Sequence, residues 1–165
     1  MDILLSAANA ALLVAHDLRR DAEADLLLLG PPDPPRLVRI LGHLVRRYQP
    51  DLRSNAALVR RALEHGSRVE REVSPGILVS KASFSEALDR LRPPFIYMKE
   101  GGEDIRGASI PADATFVLSD NQDLTPEEER DLLARDPLVV GVGPRTVHTD
   151  QAIVLVQNEL DRRGV

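Results

Sequence analysis

Two short stretches late in the chain carry residue types suited to holding a small molecule. Leu118-Ser119-Asp120-Asn121 follows the apolar run Thr115-Phe116-Val117, and Gly141-Val142-Gly143-Pro144 follows Leu138-Val139-Val140. Each is a polar or glycine-containing turn after an expected strand, and open parallel sheets bind ligands outside the carboxyl ends of their strands. Glycine at 141 and 143 removes the side chains that would keep a ligand away from the backbone. On residue type alone the signal is weak. Gly-Val-Gly lacks the spacing of a dinucleotide fingerprint, and on residue type alone Asp120 reads first as a cap of the next turn. His148 has no companion ligands, so no metal centre is expected. The chain has no cysteine, which excludes thiolate chemistry and disulfides.

Those turns need elements to position them. The helix-forming run Thr125 to Arg135 lies between them, and the amphipathic segment His148 to Arg163 follows. Upstream, Ile3 to Ala15 reads as a buried helix with Ile3, Ala7, Ala11 and Val14 on one face. Ala24 to Leu29 reads as a strand buried on both faces, and Pro31 to Pro35 as a rigid turn. Leu37 to Leu41 and Leu44 to Tyr48, on either side of Gly42-His43, suggest a hairpin. A helix is expected over Asn55 to Glu64, capped by Ser54 or Asn55, with Ala56, Val59 and Leu63 as its apolar stripe. Gly66 to Ser74 reads as a loop and Ile77 to Val79 as a strand. Ser83 to Leu91 reads as a short helix capped by Ser83 and Glu86, and Phe95 to Met98 as another strand. This alternation over one expected domain, 1–165, points to α/β with a largely parallel sheet flanked by helices.

Composition narrows the function classes. A net charge of −5 argues against a uniformly basic nucleic-acid coat, although 19 of the 21 basic residues are arginine. Arginine suits bidentate phosphate contacts, yet most of these read as ordinary surface residues. With no Trp, two Tyr and three Phe, a base-stacking platform is not expected. No apolar run is long enough to span a bilayer. Met1-Asp2-Ile3 lacks the basic start of a signal peptide, so a cytoplasmic location is expected.

Several motifs in fixed order are more specific than the composition. Leu118-Ser119-Asp120, Val140-Gly141-Val142-Gly143-Pro144, Val147-His148-Thr149-Asp150-Gln151-Ala152-Ile153 and Gln157-Asn158-Glu159-Leu160-Asp161 together resemble the archaeal-type tRNA pseudouridine-54 N1-methyltransferases (TrmY-type) of the SPOUT superfamily. Upstream, His16-Asp17-Leu18-Arg19-Arg20-Asp21, Gly30 to Pro35, Gln49 to Ser54, Ser74-Pro75-Gly76 and Gly102-Glu103-Asp104 fall in the same order, so the match covers essentially the whole chain. The resemblance implies a SPOUT fold whose C-terminal segment, about 115–160, forms a trefoil knot, a feature otherwise rare. It implies S-adenosylmethionine as cofactor, tRNA as substrate, and a homodimer whose site borrows residues from the partner. Its three cofactor loops map to Leu118 to Asn121 (Leu118, Ser119, Asp120), Gly141 to Pro144, and Val147 to Ala152 (Val147, His148, Ala152).

The implied reaction is methyl transfer to N1 of pseudouridine, in which positioning supplies most of the catalysis. The acceptor proton must leave, and a carboxylate with a nearby arginine suits that step. Asp17, Arg19, Asp51 and Arg53 are the candidates. Their plain structural reading is a helix-terminal salt bridge for the first pair, and a cap with a solvated charge for the second. Glu127-Glu128-Glu129-Arg130 reads as a solvated first helical turn. The chain departs from the family in starting at the first helix, so an edge strand or part of the RNA surface is expected to be missing. Asn121 and Gln151 stand where the family often has histidine, which bears on substrate choice. The alternatives are a methyltransferase acting on a different RNA or small heterocycle, and a non-catalytic SPOUT-like dimer that binds RNA or a nucleotide.

Overall fold

The computed structural model describes residues 2–31 and 33–165. Contacts divide the chain into two units, Met1–Ala87 and Leu88–Val165. The first holds α1 (Asp2–Leu12), β1 (Glu23–Leu28), β2 (Arg36–Leu41), α2 (Leu52–Leu63), β3 (Arg71–Ser74) and β4 (Ile77–Ser80). Helix α3 (Phe84–Arg90) crosses the division. The second holds β5 (Phe95–Asp104), β6 (Thr115–Val117), α4 (Pro126–Leu133), β7 (Leu138–Gly141) and α5 (Thr149–Arg163).

The first unit corrects the expected parallel sheet. Its four strands run in the order β1-β2-β4-β3, and every pairing is antiparallel. Val38 pairs with Leu26 on one side and Val79 on the other. One face of the sheet, through Ala24, Leu26, Leu28, Val38, Ile40, Ile77 and Val79, shares a core with Leu5, Ala8 and Leu12 of α1 and Val59 and Ala62 of α2. Burial along β1 therefore alternates, so this strand is not buried on both faces as its composition suggests. On the other face Leu37 packs with Ala82 and Ala87, and Asp25 lies directly opposite Arg39.

Other local expectations also shift. In α1 the buried residues are Leu5, Ala7, Ala8 and Leu12, whereas Ile3 and Val14 are exposed. Leu44 to Tyr48 forms no strand and β2 turns back onto no hairpin partner there; Val45 and Tyr48 instead plug the core from a turn. The α2 cap is Asp51, not Ser54 or Asn55, and Asn55 is buried on the helix beside Val59. The polar stretch before Ser74 ends in an edge strand, β3. Ser83 and Glu86 do form the reciprocal cap of α3: the Ser83 N–H donates to Glu86 at 2.8 Å, and the Glu86 N–H to Ser83 Oγ at 3.3 Å.

The second unit is the parallel one. β5 lies between β6 and β7 and runs parallel to both. Its long run is interrupted by a bulge, since Met98 and Glu103 both pair with Val140. Gly102 sits within that bulge, where a Cβ would lie 2.7 Å from the Val140 carbonyl carbon. Ile96, Ile105, Val140 and Val156 of α5 form the core. The α5 end is fastened by Arg163, which donates to the Ala108 carbonyl at 2.7 Å and to the Ile105 carbonyl. Among the described residues, no helix is long and apolar enough to cross a membrane.

Candidate functional site

The parallel pairing of β6 and β7 with the same strand fixes where the late turns emerge. Both chains leave the sheet at one end, so Leu118 to Asp120 and Gly141 to Pro144 open at the same edge. The turn after β6 closes on itself: Asp120 Oδ1 accepts from the Gln122 N–H at 2.9 Å. Asp120 is thus a turn-forming residue, as its plain structural reading has it. Gly141 completes β7, and its carbonyl accepts from the Ile105 N–H at 3.0 Å. Beyond it Val142 is partly buried against the core, while Gly143 and Pro144 are exposed. A Cβ on Gly143 would meet nothing within 4 Å.

The third loop is tied to the first. Thr149 Oγ1, at the start of α5, donates to the Ser119 carbonyl at 2.7 Å. This residue was missed as a site residue because a threonine at a helix start ordinarily signals only the helix. His148 is the N-cap residue, and its carbonyl accepts from the Ala152 N–H at 2.9 Å. Gln151 Oε1 accepts from the His148 N–H at 3.1 Å. The glutamine that departs from the family pattern therefore closes the first turn of α5. Ala152 is buried, and Val147 is half-buried.

A polar cluster beside these strands was not legible as such. Glu129 accepts from the Tyr97 hydroxyl at 3.1 Å and from Lys99. The Lys99 hydrogen bond, with that of Tyr97, holds its carboxyl below the usual range. The first turn of α4 is consequently not a simple solvated run: Glu128 forms a capping box with Thr125, and Glu129 is engaged. Among the described residues, no group of three or more His, Cys, Asp or Glu side chains is placed to hold a metal.

The substrate-side candidates all lie in the first unit. Asp17 accepts from the Leu18 N–H at 2.7 Å and from Arg20 at 3.0 Å, so Arg20 is an ion-pair partner of Asp17. The Leu18 backbone bond, followed by Arg20, holds the Asp17 carboxyl below its ordinary value. Arg20 goes on to donate to the carbonyls of Gly42 and Val45 at 3.0 and 3.1 Å. Arg19 is half-buried, and its N–H donates to the Leu12 carbonyl at 2.7 Å. Asp51 caps α2, accepting from the Ser54 hydroxyl at 2.7 Å and from the N–H groups of Ser54 and Arg53 at 3.0 and 3.3 Å. Those bonds, Ser54 foremost, lower its pKa. Arg53 is exposed in the first turn of α2.

Comparison with known proteins matches this arrangement to a family. A family model described as "Putative SAM-dependent RNA methyltransferase" matches residues 1–165. A protein of Methanocella arvoryzae named tRNA (pseudouridine(54)-N(1))-methyltransferase is 46% identical over 165 residues, covering 99% of this chain and 85% of its own length. A protein of the same name from Methanococcoides burtonii is 36% identical, covering 98% of this chain and 83% of its own. Among solved structures, Archaeoglobus fulgidus Nep1 bound to S-adenosylhomocysteine superposes with a TM-score of 0.67 over 99% of this chain and 71% of that one, at 15% identity. At that identity the likeness is one of fold, and it agrees with the SPOUT fold that the motifs imply. The chain therefore belongs to this family of SAM-dependent RNA methyltransferases, the family its motifs resemble.

Proposed function

We propose that this chain methylates N1 of pseudouridine in tRNA, using S-adenosylmethionine held by its three late loops. The observation that carries the cofactor reading is the convergence of those loops: two leave one end of the parallel sheet, and Thr149 ties the third to Ser119. The residues fit the group. The adenine of an adenosyl group is flat and uncharged, and the turns offer backbone groups and an open space at Gly143 in place of charged side chains. The relatives' names supply the acceptor.

S-adenosylmethionine supplies a methyl group on a sulfonium, whose transfer breaks a C–S bond and leaves a neutral thioether. The chain's part is to bind, orient and manage the acceptor proton. Leu118, Ser119, Asp120, Gly141, Val142, Gly143, Pro144, Val147, His148 and Ala152 form the cofactor side in this reading. Asp17, Arg19, Asp51 and Arg53 serve the acceptor. One of the two carboxylates, Asp17 or Asp51, both held ionised by their local donors, takes the single N1 proton as the N–CH3 bond forms and passes it to water. The arginines stabilise charge on the neighbouring carbonyl oxygens. The reading includes a homodimer in the cytoplasm and a knotted C-terminal segment.

The test is nucleoside mass spectrometry after incubation with S-adenosylmethionine and tRNA carrying pseudouridine. The expected product is N1-methylpseudouridine. Asp17→Asn and Asp51→Asn keep most of the turn and cap hydrogen bonds, and the one that replaces the proton acceptor should lower kcat by about 100-fold or more with cofactor affinity unchanged. Cofactor binding with no methylation of any RNA would instead favour the non-catalytic binding module.

A further inference from the structure

The arginines of this acidic chain are not deployed alike. Arg20, Arg39, Arg106 and Arg163 each hold a carboxylate. Arg46, Arg47, Arg53, Arg60 and Arg61 are all exposed, and among the described residues none has an ion-pair partner. All five belong to α2 and the segment leading into it, against two carboxylates over the same stretch, Asp51 and Glu64. Asp51 is occupied as the helix cap, which leaves Glu64 as the free acid there.

The fold sets the three arginines of α2 on one surface. Asn55, Val59 and Ala62 are the buried residues of α2, so the opposite face looks outward. Arg53, Arg60 and Arg61, seven and eight residues apart, share that face. At 1.5 Å rise per residue they span about 10–12 Å. Exposed Ala57 lies between them and leaves the stripe unobstructed. The preceding segment is pinned to the helix: Asn55 Nδ2 donates to the Gln49 carbonyl at 2.6 Å and to Asn9 at 2.9 Å. Buried Val45 and Tyr48 anchor it on either side of Arg46 and Arg47.

Helix stability explains part of this pattern only. Arg60 and Arg61 in the last turn favour the helix dipole, but Arg53 in the first turn opposes it. A run of unpaired guanidiniums with few aromatics nearby fits a polyanionic backbone and does not fit stacked bases. We propose that this face of α2, with Arg46 and Arg47, is the surface on which the phosphate backbone of RNA docks. The inference rests on the reading that tRNA is the substrate, and it assigns the contact to phosphates and not to base edges.

The experiment compares binding of a pseudouridine-containing tRNA by the wild type and the triple variant Arg47→Gln, Arg60→Gln, Arg61→Gln, which leaves Arg53 of the acceptor side in place, across a salt series. A second triple, Arg92→Gln, Arg130→Gln, Arg162→Gln, makes the same charge change at exposed arginines elsewhere. Circular dichroism and S-adenosylhomocysteine titration check that each variant is folded. The first triple should lose about tenfold or more in affinity, and its log–log salt slope should flatten by about 2, near 0.7 per lost single-strand phosphate contact. The second triple should change affinity less than about threefold. Equal losses in the two triples, or none in the first, would overturn the inference. Absence of RNA binding by the wild type would overturn the tRNA reading and this inference with it.

Discussion

Asp25 and Arg39 face one another across the β1–β2 ladder, and their carboxylate and guanidinium meet at 2.9 Å. Arg39 also reaches Glu23 and Glu70. Burial dominates at Asp25 and pushes its carboxyl up to about 6 despite Arg39. A carboxyl raised on folding contributes stability below its unfolded value near 4, and that contribution is lost as pH rises through 6. Ionised Asp25 therefore weakens the fold at neutral pH. Asp25→Asn should raise stability at pH 7 relative to pH 4, and should remove this residue's share of the stability change between about pH 4 and 6. Urea unfolding at both pH values measures it; a variant less stable than wild type at pH 7 would show that the Arg39 attraction outweighs the burial. At the same scale, Asp17 and Asp51 show what residue type leaves open. Which donors they hold was not legible, because Arg19 and Arg20 both lie within three residues of Asp17 in sequence.

Among the elements, those whose ends are marked by capping chemistry were legible. Ser83 with Glu86 marks α3, and α4 and α5 begin near where the runs from Thr125 and His148 place them, whereas the cap of α2 is Asp51 and not Ser54 or Asn55. Elements without such marks were not. β3 is a polar edge strand whose first two residues are exposed, so no apolar alternation announces it. Leu44 to Tyr48 has the apolar content of a strand because Val45 and Tyr48 fill the core from a turn. The leucines of β1 mask its alternation, since Leu27 is half-buried and Leu29 exposed. At the start of α5, Thr149 joins two loops that are 29 residues or more apart in sequence. Thr149→Val keeps the shape of the side chain and removes the donor to Ser119. It should weaken S-adenosylhomocysteine binding by about 5- to 10-fold, the worth of one hydrogen bond, with little change in Tm. Unchanged affinity would mean that the first loop is held without that bond.

Across the molecule, the second unit was read more faithfully than the first. Its strands each run into a glycine or polar turn, and that grammar follows from parallel pairing with ligand-side carboxyl ends. The first unit's antiparallel sheet follows from partner choice between strands far apart in the chain, as when β2 takes β1 and β4 on its two sides. No local period encodes that choice. The family membership joins the two readings, and the central claim is that the late loops hold the cofactor. Calorimetric titration with S-adenosylhomocysteine tests it most directly, comparing wild type, Gly143→Ala and Gly143→Trp. A Cβ at position 143 would meet nothing within 4 Å, while the φ of +157° strains any side chain there and makes the alanine variant the control for that strain. The account predicts saturable binding by the wild type, binding kept within a few-fold by Gly143→Ala, and none by a folded Gly143→Trp. Wild-type affinity in Gly143→Trp, or no binding by the wild type at millimolar ligand, would contradict it.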